Sequence, residues 1–188
     1  QTAAEALVER VGQLAVDVGL AALRELLRRP GRDEHAPLPE LPTQVSELLV
    51  PLRQVLAGVG LLRQCSAQTL DLVLSFGERL SAGIVAALLR VRGQAAVAVD
   101  AREWMVTDDR FGDALVDEPA TRARLAVLAP TWAPAIAVHT GFLGATPDGR
   151  TTTLGRNGSD YTATLLAGAL AASEVQIWTD VPGVMTGD

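Results

Sequence analysis

The chain has 188 residues, of which 48% are hydrophobic and 20% charged, a balance that excludes a disordered chain and predicts one globular domain. Its formal net charge of −6 leaves no basic surface for binding nucleic acid. All 16 basic residues are arginines, and the single cysteine, Cys65, excludes an intrachain disulfide. No uninterrupted apolar run reaches the roughly 18 residues of a membrane span, so we expect a cytoplasmic protein without membrane contact.

The first part of the chain has helical periodicity. Apolar residues at three-to-four spacing predict a helix over residues 3–29, and the proline-rich stretch 30–42 predicts a loop. Thr43 is expected to cap a second helix that runs to about Ala57. Neither helix carries a motif for catalysis, so both are expected to be packing elements. With 2 histidines and 1 cysteine in the chain, no metal site is expected either.

The rest of the chain alternates helical and strand-like patterns. The predicted elements are a helix over 67–90, a strand over 95–99, a helix over 120–128 entered through Pro119, strands over 135–138 and 151–153, a helix over 161–172 and a strand over 174–178. The strand over 135–138 is continuously apolar, which predicts burial on both faces. This alternation predicts an α/β fold with an open, mainly parallel sheet between helices. Ligands bind beyond the carboxyl ends of such strands, where Phe142, Asp180 and the turn at 156–160 are expected.

The stretch GRTTTLGRNGSDYT at 149–162 has the pattern of a strand, a glycine turn and a helix. Ser159 and Asp160 stand where the helix begins. The first amides of a helix lack internal partners and carry partial positive charge, so this pattern can form an anion site. Arg156 adds a planar guanidinium that suits a carboxylate or a phosphate. An ordinary helix entry with a solvent-facing arginine has the same pattern, and a glycine motif alone does not separate the two.

Four segments resemble aspartate kinases in the same order along the chain. They are FGERLS at 76–81, TGFLG at 140–144, the stretch 149–162 and EVQIWTDVPGVMT at 174–186. The resemblance implies the amino-acid-kinase fold, a three-layer α/β/α sandwich of the carbamate kinase-like type, here incomplete. Residues 1–188 would be one partial catalytic domain, because the family's Lys-Phe-Gly-Gly strand and its C-terminal regulatory region have no counterpart. Asn157 replaces a common glycine, as in bifunctional aspartate kinase–homoserine dehydrogenases.

The resemblance implies a reaction as well as a fold. That reaction is the ATP-dependent, Mg²⁺-assisted phosphorylation of the side-chain carboxylate of L-aspartate to 4-phospho-L-aspartate, the first step of lysine, threonine and methionine biosynthesis. Two alternatives stay open: an amino-acid kinase for glutamate or acetylglutamate, and an inactive piece that binds a ligand or serves assembly. The full-length protein is expected to be a homo-oligomer. The 188 residues alone are expected to be inactive or nearly so, because they lack the family's lysine.

Individual residues receive roles from the same resemblance. Substrate-binding roles fall on Glu78, Phe142, Thr153, Arg156, Ser159 and Asp160, and nucleotide-binding roles on Gly155, Gly158, Thr179, Asp180 and Met185. Arg156 is expected to hold the substrate α-carboxylate, with Ser159 and Thr153 donating nearby. Glu78 and Asp160 are expected to face the ammonium group. Asp160 would also organise the catalytic cations through its charge, which makes it and Arg156 the expected catalytic residues.

Two of these residues also have ordinary interpretations. Glu78 fits an exposed position on an amphipathic helix as well as a buried carboxylate that faces an ammonium group. Phe142 fits core packing as well as the wall of a pocket.

Overall fold

The computed structural model describes residues 41–178. The elements are α1 (Leu41–Leu62), α2 (Ala67–Val91), β1 (Ala96–Val99), a 3₁₀ turn (Ala101–Glu103), α3 (Glu118–Trp132), β2 (Ile136–His139), β3 (Leu143–Ala145), β4 (Thr151–Thr153) and α4 (Gly158–Ala169). The predicted helix over 3–29 and most of the predicted loop over 30–42 lie outside the described residues. Thr179, Asp180 and Met185 lie outside them as well.

Within residues 41–178 the predicted helices are all present, but their limits differ from the sequence interpretation. α1 begins before Thr43 and continues past Ala57, so the predicted cap at Thr43 is wrong. The apolar pattern simply continues in both directions, and no residue in it stops the helix. α3 is also longer than predicted, with Pro119 in its first turn as expected. α4 begins at Gly158, three residues before the predicted start.

α1 and α2 pack against each other in antiparallel order. Val45, near the start of α1, clusters with Leu80 and Ala87 of α2. Leu52, further along α1, clusters with Phe76, nearer the start of α2. α2 in turn packs on β1, β2 and β4, so it is the helix that joins the helical pair to the sheets.

Within residues 41–178 the strands form two pairs, one parallel and one antiparallel. β1 and β2 are parallel, with Ala96 opposite Ile136, whereas β3 and β4 are antiparallel. The predicted burial of the second strand on both faces is wrong, since Ile136 is 45% exposed. Within residues 41–178, β2 pairs with β1 alone and its other edge has no strand beside it.

The predicted strand over 174–178 is not formed in the described residues. This segment has no regular structure, and Val175, Ile177 and Trp178 are 45%, 51% and 88% exposed. Its sequence has strand propensity, but a strand requires a neighbour to accept its backbone hydrogen bonds, and none of the described strands pairs with it.

The main core lies where the 3₁₀ turn, α3, β3 and α4 meet. Its most completely buried large side chains are Trp104 and Met105, both 0% exposed, and they pack with Leu125, Leu143 and Leu165. These contacts hold the ends of β2 and β4 near the start of α4. The segments 140–144 and 149–162 therefore lie side by side.

α2 has the length and apolar composition of a membrane-spanning helix, alone among the helices within residues 41–178. These criteria tolerate charged residues, and α2 still contains no uninterrupted apolar run of that length, because Asp71, Glu78 and Arg79 interrupt it. A core helix of a globular protein meets the same criteria, and α2 packs on α1 and three strands. Its Asp71 and Glu78 accept hydrogen bonds from distant loops, so we interpret α2 as a core helix.

Asp71 is the most deeply buried carboxylate in the described part of the chain, with 1% of the residue exposed. Its Oδ2 accepts hydrogen bonds from the amides of Gly112 at 2.9 Å and Thr153 at 3.0 Å. Its Oδ1 accepts a third from the hydroxyl of Thr153 at 2.8 Å. One side chain of α2 therefore ties the loop before α3 to the end of β4.

Replacing Asp71 should cost much of the stability of the domain. Asp71→Ala leaves three donors without an acceptor, two of them buried at Thr153, so we expect a loss of about 3–5 kcal/mol in the free energy of unfolding. Asp71→Asn should lose about 1–2 kcal/mol, because it keeps an acceptor but not the charge. Urea unfolding followed by tryptophan fluorescence measures both. Asp109→Ala is the control, since that side chain is 67% exposed and should change stability by less than about 0.5 kcal/mol. Equal losses in the Asp71 and Asp109 alanine variants would contradict this account.

Candidate functional site

The glycine turn leads from the end of β4 into α4 as the sequence predicts. Gly155 and Asn157 both adopt left-handed backbone conformations, at φ of 71° and 60°. A Cβ at Gly155 would lie 2.6 Å from Oδ1 of the exposed Asp113 side chain, which can move away, so the left-handed φ is the main reason for glycine here. Asn157 occupies the N-cap position of α4 without a side-chain capping bond. The first amides of α4 therefore receive no capping acceptor from that side chain, which suits an anion site.

Three polar side chains surround this helix start. Arg156, Ser159 and Asp160 are all exposed. Within residues 41–178, the guanidinium of Arg156 forms neither a hydrogen bond nor an ion pair. An exposed guanidinium beside uncapped helix amides is an arrangement that a carboxylate or phosphate can bind.

Glu78 of α2 reaches the same region from the opposite side. It is half-buried, and its Oε2 accepts a hydrogen bond from the amide of Gly141 at 3.1 Å. Gly141 lies against Ser159, because a Cβ at position 141 would be 2.7 Å from Ser159 Oγ. The structure thus brings Glu78 and Ser159 to the two sides of one glycine, and the interpretation of Glu78 as a free, exposed glutamate is wrong.

Phe142 follows directly and has an unusual backbone. Its φ of 66° lies in the left-handed region, which is uncommon for a bulky residue. Its amide donates to Thr162 Oγ1 at 3.1 Å, and its carbonyl accepts from the amide of Leu154 at 3.0 Å. The ring is half-buried against the main core and lies over Gly158, where an added Cβ would be 2.9 Å from its Cδ2. Core packing is therefore confirmed, and the pocket-wall role stays a prediction.

Thr153 lies behind this site rather than at its surface. The residue is 1% exposed, and its hydroxyl proton is directed at Asp71. A hydroxyl has one proton to donate, so the expected donation from Thr153 to a substrate carboxylate does not fit this structure. Asp71 itself was not predicted from sequence. A signal exists, since Asp71, Ser75 and Glu78 have the spacing of one helix face and all three avoid solvent.

A groove with a cavity volume of about 470 Å³ opens beside this site, between α1, α2 and β1. Its lining includes Arg79, Asp100 and Thr140. The carboxylate of Asp100 accepts hydrogen bonds from Arg102 at 2.6–3.1 Å and forms an ion pair with Arg79 at 3.3 Å. Burial alone would raise the pKa of Asp100, but the hydrogen bonds and charge of Arg102, with the charge of Arg79, hold that pKa below its ordinary value. This cluster, which sequence reasoning missed, fixes the end of β1.

His139 ends β2 and comes just before the segment that Glu78 holds. Its Nδ1 accepts a hydrogen bond from Trp104 Nε1 at 3.2 Å, and Trp132 packs edge-on with ring centroids 4.7 Å apart. Burial lowers the pKa of His139 to about 4. The imidazole is therefore neutral near pH 7 and acts as an acceptor within the core.

The comparison with protein families agrees with this arrangement. Residues 7–188 match the model of the amino acid kinase family. The chain therefore belongs to the amino acid kinase family.

Its similar relatives are aspartokinases. The chain is 47% identical over 135 residues to the lysine-sensitive aspartokinase 3 of Escherichia coli. The aligned stretch covers 71% of this chain and 30% of that protein. It is 40% identical over 151 residues to the chloroplastic aspartokinase 1 of Arabidopsis thaliana, covering 78% of this chain and 26% of that protein. The chain thus spans about a third or less of the length of these relatives.

Solved structures give the same result for the fold. The structure of E. coli aspartokinase III in complex with aspartate and ADP matches with a TM-score of 0.75 and 37% identity, over 92% of this chain and 36% of that one. The complex of that enzyme with lysine and aspartate matches with a TM-score of 0.74 and 38% identity, over 88% of this chain and 35% of that one. The predicted amino-acid-kinase fold is confirmed.

The neutral His139 should make stability depend on pH. Its pKa is about 4 when folded and about 6.5 when unfolded, so the unfolded chain binds more protons between these values. Its contribution is fully present above pH 6.5 and is lost as the pH falls towards 4. Allowing for partial exposure, we expect a loss of about 1–2 kcal/mol. Urea unfolding at pH 7 and pH 4.5 should show a smaller pH effect in His139→Gln than in the wild type, and identical pH effects would contradict the assignment.

Gly141 and Gly77 offer a matched pair of substitutions. Gly141→Ala places a methyl group 2.7 Å from Ser159 Oγ and 3.1 Å from Ser159 Cα, so we expect a loss of about 1–3 kcal/mol in stability. Gly77→Ala meets nothing within 4 Å and lies inside α2, so it should gain about 0.5–1 kcal/mol. Thermal unfolding measures both, and a tolerated alanine at 141 would contradict the close approach to Ser159.

Proposed function

We propose that this chain is the catalytic part of an aspartate kinase, which transfers the γ-phosphoryl group of ATP to the side-chain carboxylate of L-aspartate. The observation that carries the proposal is the convergence of Glu78, on one side of Gly141, with the exposed Arg156–Asp160 turn on the other. A carboxylate on one segment, with a guanidinium and helix amides on the neighbouring one, suits the two charged ends of an amino acid. The aspartokinase relatives, one solved with aspartate and ADP, support aspartate as that amino acid.

Each group has a distinct task in substrate binding. Arg156 holds the α-carboxylate through its two parallel N–H groups, with the hydroxyl of Ser159 beside it. Asp160 and Glu78 face the ammonium group. Glu78 is suited to this because only its Oε2 is engaged by Gly141, which leaves Oε1 available. Phe142 closes the side of the pocket with an apolar surface.

The phosphates of ATP fit the turn at 155–158. Gly155 and Gly158 are the proposed phosphate contacts through their backbone amides, and the start of α4 supplies partial positive charge. Thr179, Asp180 and Met185 are proposed nucleotide contacts on the strength of the sequence resemblance alone.

Mg²⁺ would reach this site mainly on the phosphate oxygens. Among residues 41–178 there is no group of three or more His, Cys, Asp or Glu side chains close enough to hold a metal ion. Mg²⁺ commonly keeps several waters and takes only one or two carboxylates with substrate phosphates, so the single exposed carboxylate of Asp160 fits that mode. The ion would supply neutralisation of the phosphate charge, and Asp160 would orient the ligands around it.

The chemical step needs little covalent help from the protein. A side-chain carboxylate oxygen of aspartate forms a bond to the γ-phosphorus, the bond from that phosphorus to its bridging oxygen breaks, and ADP leaves. The nucleophile is already an anion, so no general base is required. Positioning and charge neutralisation therefore supply the catalysis.

The proposal extends to the setting of the enzyme. The product, 4-phospho-L-aspartate, would enter the biosynthesis of lysine, threonine and methionine. We propose a cytoplasmic, homo-oligomeric enzyme, in line with the acidic composition and the free, exposed Cys65.

Two substitutions test the proposal in the complete gene product that carries these residues. Arg156→Ala should raise the KM for aspartate by about 10- to 100-fold, because one charge-assisted contact with the substrate is lost. The change in kcat should be smaller. Asp160→Ala should lower kcat by at least about 100-fold. Arg122→Ala, an exposed arginine of α3, is the control and should leave both parameters unchanged.

The assay measures ATP-dependent acyl phosphate formation with aspartate, glutamate and acetylglutamate in parallel. Normal aspartate kinetics in both site variants, or a preference for another amino acid, would contradict the assignment. The 188 residues alone are expected to form little or no aspartyl phosphate.

A further inference from the structure

Two consecutive backbone amides between β2 and β3 are held by side chains from two different helices. The amide of Gly141 donates to Glu78 Oε2 of α2 at 3.1 Å. The amide of Phe142 donates to Thr162 Oγ1 of α4, also at 3.1 Å. The segment 141–142 lies outside both strand pairs, so these side chains rather than the sheet fix its amides.

The hydroxyl of Thr162 is fully committed in this contact. Thr162 is 3% exposed, and its Oγ1 donates to the carbonyl of Gly158 at 2.7 Å. Since the hydroxyl has one proton, Oγ1 meets the amide of Phe142 as an acceptor. Thr162 thereby connects Phe142 to the first residue of α4.

This connection helps to hold Phe142 in a strained backbone conformation. The left-handed region at φ of 66° is unfavourable for a bulky residue, so Phe142 needs neighbours that hold it there. The ring of Phe142 also lies directly over Gly158. If the amide lost its acceptor, relaxation of the backbone would shift the ring and the segment relative to the start of α4.

We propose that Thr162 is a positioning residue for the amino-acid substrate. Its hydroxyl sets the distance between the segment 141–142, held by Glu78, and the turn that carries Arg156 and Asp160. That distance is the spacing between the groups that receive the two ends of one amino acid. The identity of the substrate rests on the proposed function, whereas the contact itself rests on the geometry of Thr162 and Phe142.

The chain offers a matched control two residues further along α4. Thr164 Oγ1 is 3.0 Å from the carbonyls of both Asp160 and Tyr161, so its proton also bonds to the preceding turn, but Thr164 is exposed and forms no hydrogen bond to the segment 141–142. Thr162→Val and Thr164→Val therefore remove equivalent bonds within the helix, and only the first removes the acceptor for Phe142. Thr162→Ser keeps the hydroxyl and serves as the rescue variant.

The first measurement is steady-state kinetics of the complete gene product. Thr162→Val should raise the KM for aspartate about tenfold, with the KM for ATP within about twofold of wild type, as expected for the loss of one hydrogen bond to a buried amide. Thr162→Ser should return the KM to within about threefold, and Thr164→Val should behave as wild type. Parallel changes in both KM values and in kcat would indicate general destabilisation and overturn the inference.

The second measurement is hydrogen exchange at the Phe142 amide, which does not depend on activity. Exchange should be at least about tenfold faster in Thr162→Val and unchanged in Thr164→Val. Unchanged exchange in Thr162→Val overturns the inference while leaving aspartate phosphorylation as a separate question. Faster exchange together with no aspartate phosphorylation by the wild type supports the contact and overturns the proposed function.

Discussion

The buried carboxylate of Asp71 is the interaction on which the architecture around the site depends. It engages three donors from two distant segments, and the two donors of Thr153 are buried, whereas Gly112 lies at an exposed position. A carboxylate in such a position is stable only with its partners in place, so the end of β4 and the loop before α3 can meet α2 in a single arrangement. The glycine turn begins one residue after that contact. The contact between Asp71 and Thr153 therefore fixes the position of this turn relative to α2.

A second set of polar contacts fixes the segment 141–142, which is the other segment beside the site. Glu78 lies two helical turns after Asp71 and holds Gly141, while Thr162 of α4 holds Phe142. α2 thus contacts both segments that flank the site, the segment 141–142 and the end of β4. α4 contacts the segment 141–142 and begins just after β4. Within residues 41–178 Arg156 forms no ion pair, and the backbone segments around it are fixed, so the charges of the site are in place before a ligand arrives and binding requires less ordering.

The sequence predicts well whatever depends on local pattern. The limits of α2 are nearly correct because its apolar periodicity is unbroken, and the turn into α4 is recognisable from its glycines and threonines. Long-range features were less accessible. β3 is three residues long and carries no period, and the buried role of Asp71 depends on donors 41 and 82 positions away. Thr153 was assigned to the substrate because position alone does not reveal where a hydroxyl points.

The two tryptophans around His139 give the protein a built-in optical reporter. Trp104 is completely buried and shares its indole N–H with the imidazole, and His139 is two residues from the glycine that Glu78 holds. Indole emission responds to nearby charge and to small changes in ring packing. Occupancy of the neighbouring turn should therefore alter the quantum yield of these residues without any attached dye.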